Sequence, residues 1–159
     1  MSTNLTSTLA QVAGYGLIAG SRSMSAPALF SRAAARRPER LAGTPFQVLI
    51  APRAQQVLTV AAVGEMIGDK LPFTPSRLSP FPLGGRIGSG AIIGAAACRA
   101  ADQPLLLGAL VGGVTALLGA WLGYTWRTLA AKHLHLPSPV SGLIEDALVF
   151  VAGRRVAGL

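Results

Sequence analysis

The sequence predicts an all-α protein, an integral membrane bundle of about five short, glycine-rich helices, and three features of its composition support this. Hydrophobic residues make up 51% of the chain and charged residues only 13%, whereas an ordinary soluble domain has about 25% charged residues. Aromatic residues are few, at 6%, and glycine occurs 19 times, so the apolar content consists largely of small side chains. This composition is typical of helices that pack closely within lipid. With 159 residues we expect one domain, covering residues 1–159.

The clearest membrane span covers residues 103–126, which contain no charged side chain. About 20 apolar residues are enough to cross the hydrocarbon layer of a bilayer. Trp121, Tyr124 and Trp126 cluster toward the end of this segment, where such rings prefer the level of the lipid headgroups, and Arg127 follows. We therefore expect this end of the helix to lie at a membrane interface.

The remaining candidate segments are shorter, and each carries a charge or a helix breaker. They cover residues 5–20, with a continuation to about residue 35 beyond a break at 20–23, and residues 54–69, 83–101 and 139–153. Pro27 marks either a kink or the start of a new helix in the continuation. Because a lipid-exposed span avoids charges and breaks, we expect these segments to pack against protein, some as discontinuous or re-entrant helices.

The cations lie mostly between the apolar segments, which indicates a role in membrane topology. A basic loop over residues 32–53 contains five arginines and a short apolar stretch that fits the membrane interface. Placing this loop in the cytoplasm puts the N-terminus outside, and five crossings then return Arg154 and Arg155 to the inside. In this topology the first two segments run opposite to the last two, as in an inverted repeat.

Glycines recur four positions apart along the predicted helices. Residues at positions i and i+4 share a helix face, so each pair leaves a flat stripe where another backbone can approach. The pairs are Gly16 and Gly20, Gly64 and Gly68, Gly84 and Gly88, Gly90 and Gly94, Gly108 and Gly112, and Gly119 and Gly123. We predict helix packing surfaces at these positions.

Four acidic residues lie inside apolar segments: Glu65, Asp69, Glu145 and Asp146. Ionised carboxylates at membrane depth are costly, and they usually face a bundle interior, a cation or a water-filled path. Glu65 and Asp69 share a helix face, whereas Glu145 and Asp146 diverge by roughly 100 degrees. Only one of the second pair therefore needs to point inward.

Several cations near expected helix ends could neutralise these acids: Arg22, Lys70, Arg77, Arg86 and Arg127. One interpretation is that the acids and cations form structural ion pairs that hold the bundle together. The other is that they line a path for an ion, a proton or a solute. The candidate residues for either role are Arg22, Glu65, Asp69, Lys70, Arg77, Arg86, Glu145 and Asp146.

Other kinds of chemistry have little support in the sequence. The net charge of +8 is not concentrated in a basic stretch interleaved with stacking aromatics, which disfavours nucleic acid as a partner. Cys98 is the only cysteine, and His133 and His135, beside a proline, fit an interfacial linker better than a metal site. Nucleotide-binding and nucleophile motifs are missing. We therefore predict no metal and no cofactor, and the sequence favours a non-enzymatic function.

Three blocks of the sequence carry a resemblance to a known family: GLIAGSRSMSAPAL at 16–29, GEMIGDKLPFTPSRLSPFPLGGRIGSGAIIGAA at 64–96, and GAWLGYTWRTLAAKHLHLPSPVSGLIEDAL at 119–148. Together they resemble the small bacterial and plant-type polytopic membrane proteins catalogued as domain of unknown function 4126. The resemblance covers most of the chain and implies a helical membrane protein. It implies no particular reaction or substrate.

These observations lead to a principal hypothesis and two alternatives. The principal hypothesis is a small transporter or channel-like protein, oligomeric and located in the bacterial inner (cytoplasmic) membrane, with Glu65, Asp69 and one of the other two acids facing a polar path. The first alternative is a membrane scaffold or assembly partner whose glycine stripes mediate association with other copies or proteins. The second is a lipid-modifying enzyme. The lipid bilayer is the one partner that all three share.

Overall fold

A computed structural model describes residues 4–69, 79–133 and 137–158, and within these ranges the chain is helical and contains no strand. The α-helices are α1 (Leu5–Ser21), α2 (Ser25–Ala34), α3 (Pro52–Gly68), α4 (Pro80–Ala100), α5 (Leu105–His133) and α6 (Ser138–Ala157), and two short 3-10 segments, Pro38–Arg40 and Pro45–Ile50, lie between α2 and α3. The all-α prediction is therefore confirmed for the described residues. The five predicted segments correspond to α1, α3, α4, α5 and α6.

Local sequence explains where several helices begin and end. The Asn4 side chain accepts a hydrogen bond from the Thr6 amide at 3.2 Å and so caps the start of α1. Pro52 and Pro80 lie in the first turns of α3 and α4, where the missing N–H would have no helical partner. Gly158 ends α6 with a positive φ of 65°, a conformation that favours glycine.

The centre of the bundle consists of α1, α4 and α5, whose backbones touch at glycines. Gly90 faces Gly112 and Gly94 faces Gly108, so α4 and α5 run antiparallel. A Cβ atom on Gly94 would overlap the Gly108 carbonyl oxygen, so no larger residue fits there without movement. These two pairs act as the sequence analysis predicted.

The contact between α1 and α5 also depends on predicted glycines. Gly16 lies against Thr115, Gly20 lies against Ala116, and Gly119 lies against the backbone of Leu17. Residues later in α1 contact residues later in α5, which shows that the two helices run parallel. Predicted packing is therefore observed at Gly16, Gly20 and Gly119, and Gly123 is buried in the same helix.

Four predicted packing glycines have open space where a side chain would stand: Gly64, Gly68, Gly84 and Gly88. A Cβ atom added at any of them would meet no atom within 4 Å. For Gly64 and Gly68 the reason is that α3 lies at the edge of the bundle, against α2 and the 3-10 segment Pro45–Ile50. Of the α3 residues only Ala62 is buried. A helix packing surface at these four positions stays a prediction.

The chain reverses direction between α1 and α2. The rings of Tyr15 and Phe30 meet edge to face with centroids 5.6 Å apart, which requires α2 to fold back along α1. The break at residues 20–23 is therefore a turn, in which Arg22 has an extended conformation, and Pro27 lies in a new helix. One cavity is lined by both Ser7 and Arg36, so the N-terminal turn of α1 lies at the same end as the basic loop. The predicted placement of the N-terminus opposite this loop is wrong.

The basic loop and the C-terminal end of α6 lie together, as predicted. Arg36 Nη1 donates a hydrogen bond to the Gly158 carbonyl at 3.0 Å. We call this end of the bundle the arginine end; it is defined by Arg36, Arg37, Arg40, Arg53, Arg99, Arg154 and Arg155. Its acidic residues in the described chain are Glu39 and Asp102.

The predicted inverted repeat is not observed. Gln11 Nε2 donates to the Val156 carbonyl at 2.8 Å, which places the end of α6 beside the start of α1, so these helices are antiparallel. An inverted repeat requires the first and fourth predicted segments, α1 and α5, to run in opposite directions. The contacts of Gly16, Gly20 and Gly119 show that these two helices run parallel.

The outer surface of the bundle is strongly apolar. Among the described residues, α5 is the one helix that is both long and apolar enough to cross a membrane. Large hydrophobic side chains are exposed on α3, α4, α5 and α6. They include Val57, Val60, Val63, Ile67, Phe81, Leu106, Leu110, Val114, Trp121, Leu143, Leu148, Phe150 and Val151. The chain thus places apolar side chains outside while several charged ones lie inside.

Candidate functional site

Six of the eight predicted charged residues meet at the end of the bundle opposite the arginine end. They are Arg22, Glu65, Asp69, Arg86, Glu145 and Asp146. Arg127 joins them, and we call these seven residues the charge cluster. Lys70 and Arg77 fall outside the described residues. The cluster forms because α1, α3 and α5 end here, while α4 and α6 begin here.

Arg22 lies at the centre of the charge cluster, and its side chain is 0% exposed. It forms an ion pair with Asp69, and its Nη2 atom lies 2.6 Å from Asp146 Oδ1. An isolated buried guanidinium would be very costly, so two carboxylates are needed to compensate its lost hydration. Because α1 ends at Ser21, the Arg22 backbone leaves the helix and its side chain can reach both α3 and α6.

Arg127 extends this arrangement toward α5. Its Nε atom lies 3.2 Å from Glu145 Oε2, and its Nη2 atom lies 3.4 Å from Asp69 Oδ2. Asp69 is therefore shared by two guanidiniums. The result is a continuous chain of ion pairs in the order Asp146, Arg22, Asp69, Arg127, Glu145.

Glu65 holds the start of α2. Its carboxylate accepts hydrogen bonds from the backbone amides of Ser23 and Met24, both at 2.8 Å, and from the Ser23 hydroxyl at 3.0 Å. These amides precede the first turn of α2, where a negative charge is favoured by the helix dipole. The residue before α2, Met24, provides no side-chain cap of its own. Glu65 supplies the cap from α3.

Arg86 holds the end of α1. It is 4% exposed, and its Nη1 atom donates to the carbonyls of Gly20 and Ser21 at 2.6 and 2.9 Å. Such carbonyls have no partner within their own helix, and a cation at this position also favours the helix dipole. The Nη2 atom lies 3.9 Å from Glu65. The Glu65 carboxylate therefore binds the amides of the α1–α2 turn, and the Arg86 guanidinium binds its carbonyls.

A cavity of about 630 Å³ reaches the charge cluster from the surface. Among the residues that the structure describes, its charged lining is Glu65, Asp69 and Arg86, and its apolar lining includes Phe81. Gly84 and Gly85 line it without side chains, which leaves the space open. Molecules outside the bundle can therefore reach the chain of ion pairs through this cavity.

Glu145 and Asp146 are both engaged, although the sequence required only one of them to point inward. Glu145 pairs with Arg127 of α5, whereas Asp146 pairs with Arg22. Their angular separation on α6 lets each carboxylate contact a different neighbour.

Some residues of this site are not among the candidates predicted from the sequence. Arg127 is one of the possible cations but not one of the candidate residues, although its position directly after the aromatic end of α5 indicates a role at this end of the helix. Ser23 and Ser89 were not selected either. Ser89 Oγ donates to the Ser23 carbonyl at 2.5 Å, 66 positions away in sequence, and no local pattern indicates such a contact.

No family model, curated protein or solved structure matches this chain. The features that bear on function are therefore the charge cluster, the two ends of the bundle and its apolar surface. The similarity of the three sequence blocks to the domain of unknown function 4126 family stays a prediction.

Proposed function

We propose that this protein is a small membrane transporter or channel-like protein, in which a proton or a small ion passes along the charge cluster. The observation that carries this proposal is the cavity that connects Glu65 and Asp69 with the outside of the bundle. From Asp69 the ion pairs continue inward to Arg22 and Asp146. Charged side chains in a membrane interior typically mark such pathways.

The membrane location is supported by the distribution of polarity. The bundle exposes valine, leucine and phenylalanine side chains over α3, α5 and α6, while Arg22 and Glu145 are buried. A helix of 29 residues such as α5 is about 43 Å long, enough to cross a bilayer. In the proposed arrangement α1, α3, α4, α5 and α6 cross the membrane, and the chain returns between α1 and α3 through α2 and the segment that follows it. The arginine end would face the cytoplasm of a bacterium.

Asp69 is the residue on which the proposed path depends most. It has two guanidinium partners, Arg22 and Arg127, so it can leave one while it stays paired with the other. Complete loss of a partner from a buried ion pair is strongly destabilising, whereas exchange between two partners avoids an isolated charge. Transient protonation of Asp69 would release the guanidiniums to their other carboxylates, Asp146 and Glu145.

A flux assay in proteoliposomes tests this proposal. Vesicles with a trapped pH-sensitive dye report proton flux under an imposed membrane potential, and matched gradients of Na⁺ and K⁺ test the two cations. We expect flux in the wild type, at least a tenfold loss in Asp69→Asn, and wild-type flux in Asp102→Asn. Asp102 is the matched control, because it pairs with Arg99 at the exposed surface of the arginine end. Absence of flux in the wild type, or equal flux in both variants, would overturn the proposal.

A second candidate function, membrane assembly, is favoured by the unfilled glycines. A Cβ atom added at Gly64 or at Gly68 on α3 would meet no atom within 4 Å, and α3 also exposes Val60 and Ile67. Such a glycine pair allows close approach of another membrane helix. We expect the double substitution Gly64→Leu and Gly68→Leu to abolish oligomers seen by crosslinking in membranes, while Val63→Leu on the same helix leaves them intact. A monomeric wild-type protein would exclude this function.

A further inference from the structure

The arginine end contains a second cavity, distinct from the one at the charge cluster. It has a volume of about 700 Å³ and lies between the first turns of α1, the end of α2, the basic loop and the last turn of α6. Four arginines line it: Arg36, Arg37, Arg40 and Arg155. No carboxylate lines it among the residues that the structure describes, and the acids of this end, Glu39 and Asp102, lie outside its lining. The cavity therefore concentrates positive charge.

The arginines are placed at the mouth of this cavity. All four are exposed, and they come from two separate parts of the chain, the segment after α2 and the last turn of α6. The hydrogen bond from Arg36 to the Gly158 carbonyl joins these two parts. Guanidinium groups that converge from different elements can contact several oxygens of one phosphate group.

The interior of the cavity is mostly apolar. Tyr15 and Phe30 form one wall with their edge-to-face contact, and both are buried. The small side chains of Ala33, Ala97 and Ala100 line it as well. The cavity therefore combines a cationic mouth with an apolar wall.

We propose that this cavity binds an anionic phospholipid, with the phosphate group on the arginines and the first part of an acyl chain or the glycerol backbone against Tyr15 and Phe30. This inference rests on the membrane location in the proposed function. A lipid fits better than a soluble phosphate ester, because it would use both the cationic mouth and the apolar wall. Basic pockets between membrane helices on the cytoplasmic side are suited to anionic headgroups.

Lipid titration of the purified full chain in a neutral detergent tests this inference. Dioleoyl phosphatidylglycerol is compared with dioleoyl phosphatidylcholine, and native mass spectrometry counts the bound lipid. We expect at least a tenfold preference for phosphatidylglycerol. The triple substitution Arg36→Gln, Arg37→Gln and Arg40→Gln should remove this preference.

The matched control carries the same change of net charge away from the cavity. It combines Arg53→Gln, Arg99→Gln and Arg154→Gln, three positions at the same end that do not line the cavity. We expect it to keep the preference for phosphatidylglycerol within about threefold. Equal loss in both triple variants would mean that overall charge attracts the lipid, and would overturn the proposed site.

A further measurement separates the lipid from its phosphate group. Inorganic phosphate at millimolar concentration should not displace phosphatidylglycerol; displacement would mean that a free phosphate is the ligand and would overturn the lipid assignment. These lipid-binding readouts are independent of flux, so loss of the transport proposal leaves them interpretable.

Discussion

Arg22 and Asp69 form a buried ion pair across 47 positions of sequence, and this pair joins the end of α1 to the end of α3. The same arginine also contacts Asp146 of α6. Three elements that are distant in the chain thus meet on one guanidinium. The stability of this end of the bundle should depend on it.

Replacement of Arg22 should therefore be severely destabilising. Arg22→Met leaves Asp69 and Asp146 without their shared guanidinium, and loss of one partner of a buried pair costs about 3–5 kcal/mol. The free energy of unfolding in detergent measures the effect. Arg99→Met, which removes an exposed ion pair, should change it by less than about 1 kcal/mol. Recovery in the double variant Arg22→Met with Asp69→Asn would support direct coupling, and strictly additive losses would contradict it.

Glu65 should act chiefly through the start of α2. Glu65→Ala removes the acceptor for the Ser23 and Met24 amides, and loss of a helix cap costs about 0.5–2 kcal/mol. Hydrogen exchange should become faster at residues 23–28. Glu39→Ala provides a control, because Glu39 is exposed and lies in a short 3-10 segment. Unchanged exchange in the Glu65 variant would show that the cap does not stabilise α2.

The two classes of glycine should respond oppositely to alanine. Gly94→Ala forces a Cβ atom onto the Gly108 carbonyl, and overpacking of this kind typically costs about 1–3 kcal/mol. Gly84→Ala meets no atom, and its higher helix propensity should stabilise the protein by about 0.5–1 kcal/mol. Thermal unfolding midpoints in detergent compare the two variants. Similar destabilisation by both would contradict the close α4–α5 contact.

Cysteine labelling should test the arrangement of the chain ends in the membrane. In a Cys98→Ser background, Ser7→Cys, Arg37→Cys and Arg155→Cys should react with an impermeant reagent from the same side, because all three positions line the cavity at the arginine end. His133→Cys, at the end of α5 beyond the charge cluster, should react from the other side. Labelling of Ser7→Cys and Arg37→Cys from opposite sides would exclude the α1–α2 reversal in the membrane.

The positions of the long helices could be predicted because their limits depend on local sequence. Prolines at 52 and 80 and the glycine at 158 mark helix ends by the geometry of their own backbones. The α1–α2 reversal could not be predicted in this way. It depends on Glu65 and Arg86, which bind the turn from α3 and α4 and are more than 40 positions away.

The charged residues of the site were also recognisable, since charges are conspicuous in apolar segments. The sequence does not show which carboxylate pairs with which arginine, because the pairing depends on how the helices are arranged. Arg127 and Arg22 approach Asp69 from different helices, and both acids of α6 have partners for the same reason. The glycines show the same limit: Gly64 and Gly94 have similar sequence patterns, but only Gly94 lies where another helix passes.

The backbone contacts among α1, α4 and α5 have a mechanical consequence. Where a glycine lies directly against the backbone of another helix, there is little side-chain volume that could rearrange, so these three helices should resist sliding or separating by small steps. Helix α3 has the opposite character, with one buried residue and open space at both of its paired glycines. Any opening of the bundle should therefore move α3 as a rigid body relative to α1, α4 and α5. Asp69 lies at the end of α3 and should move with it.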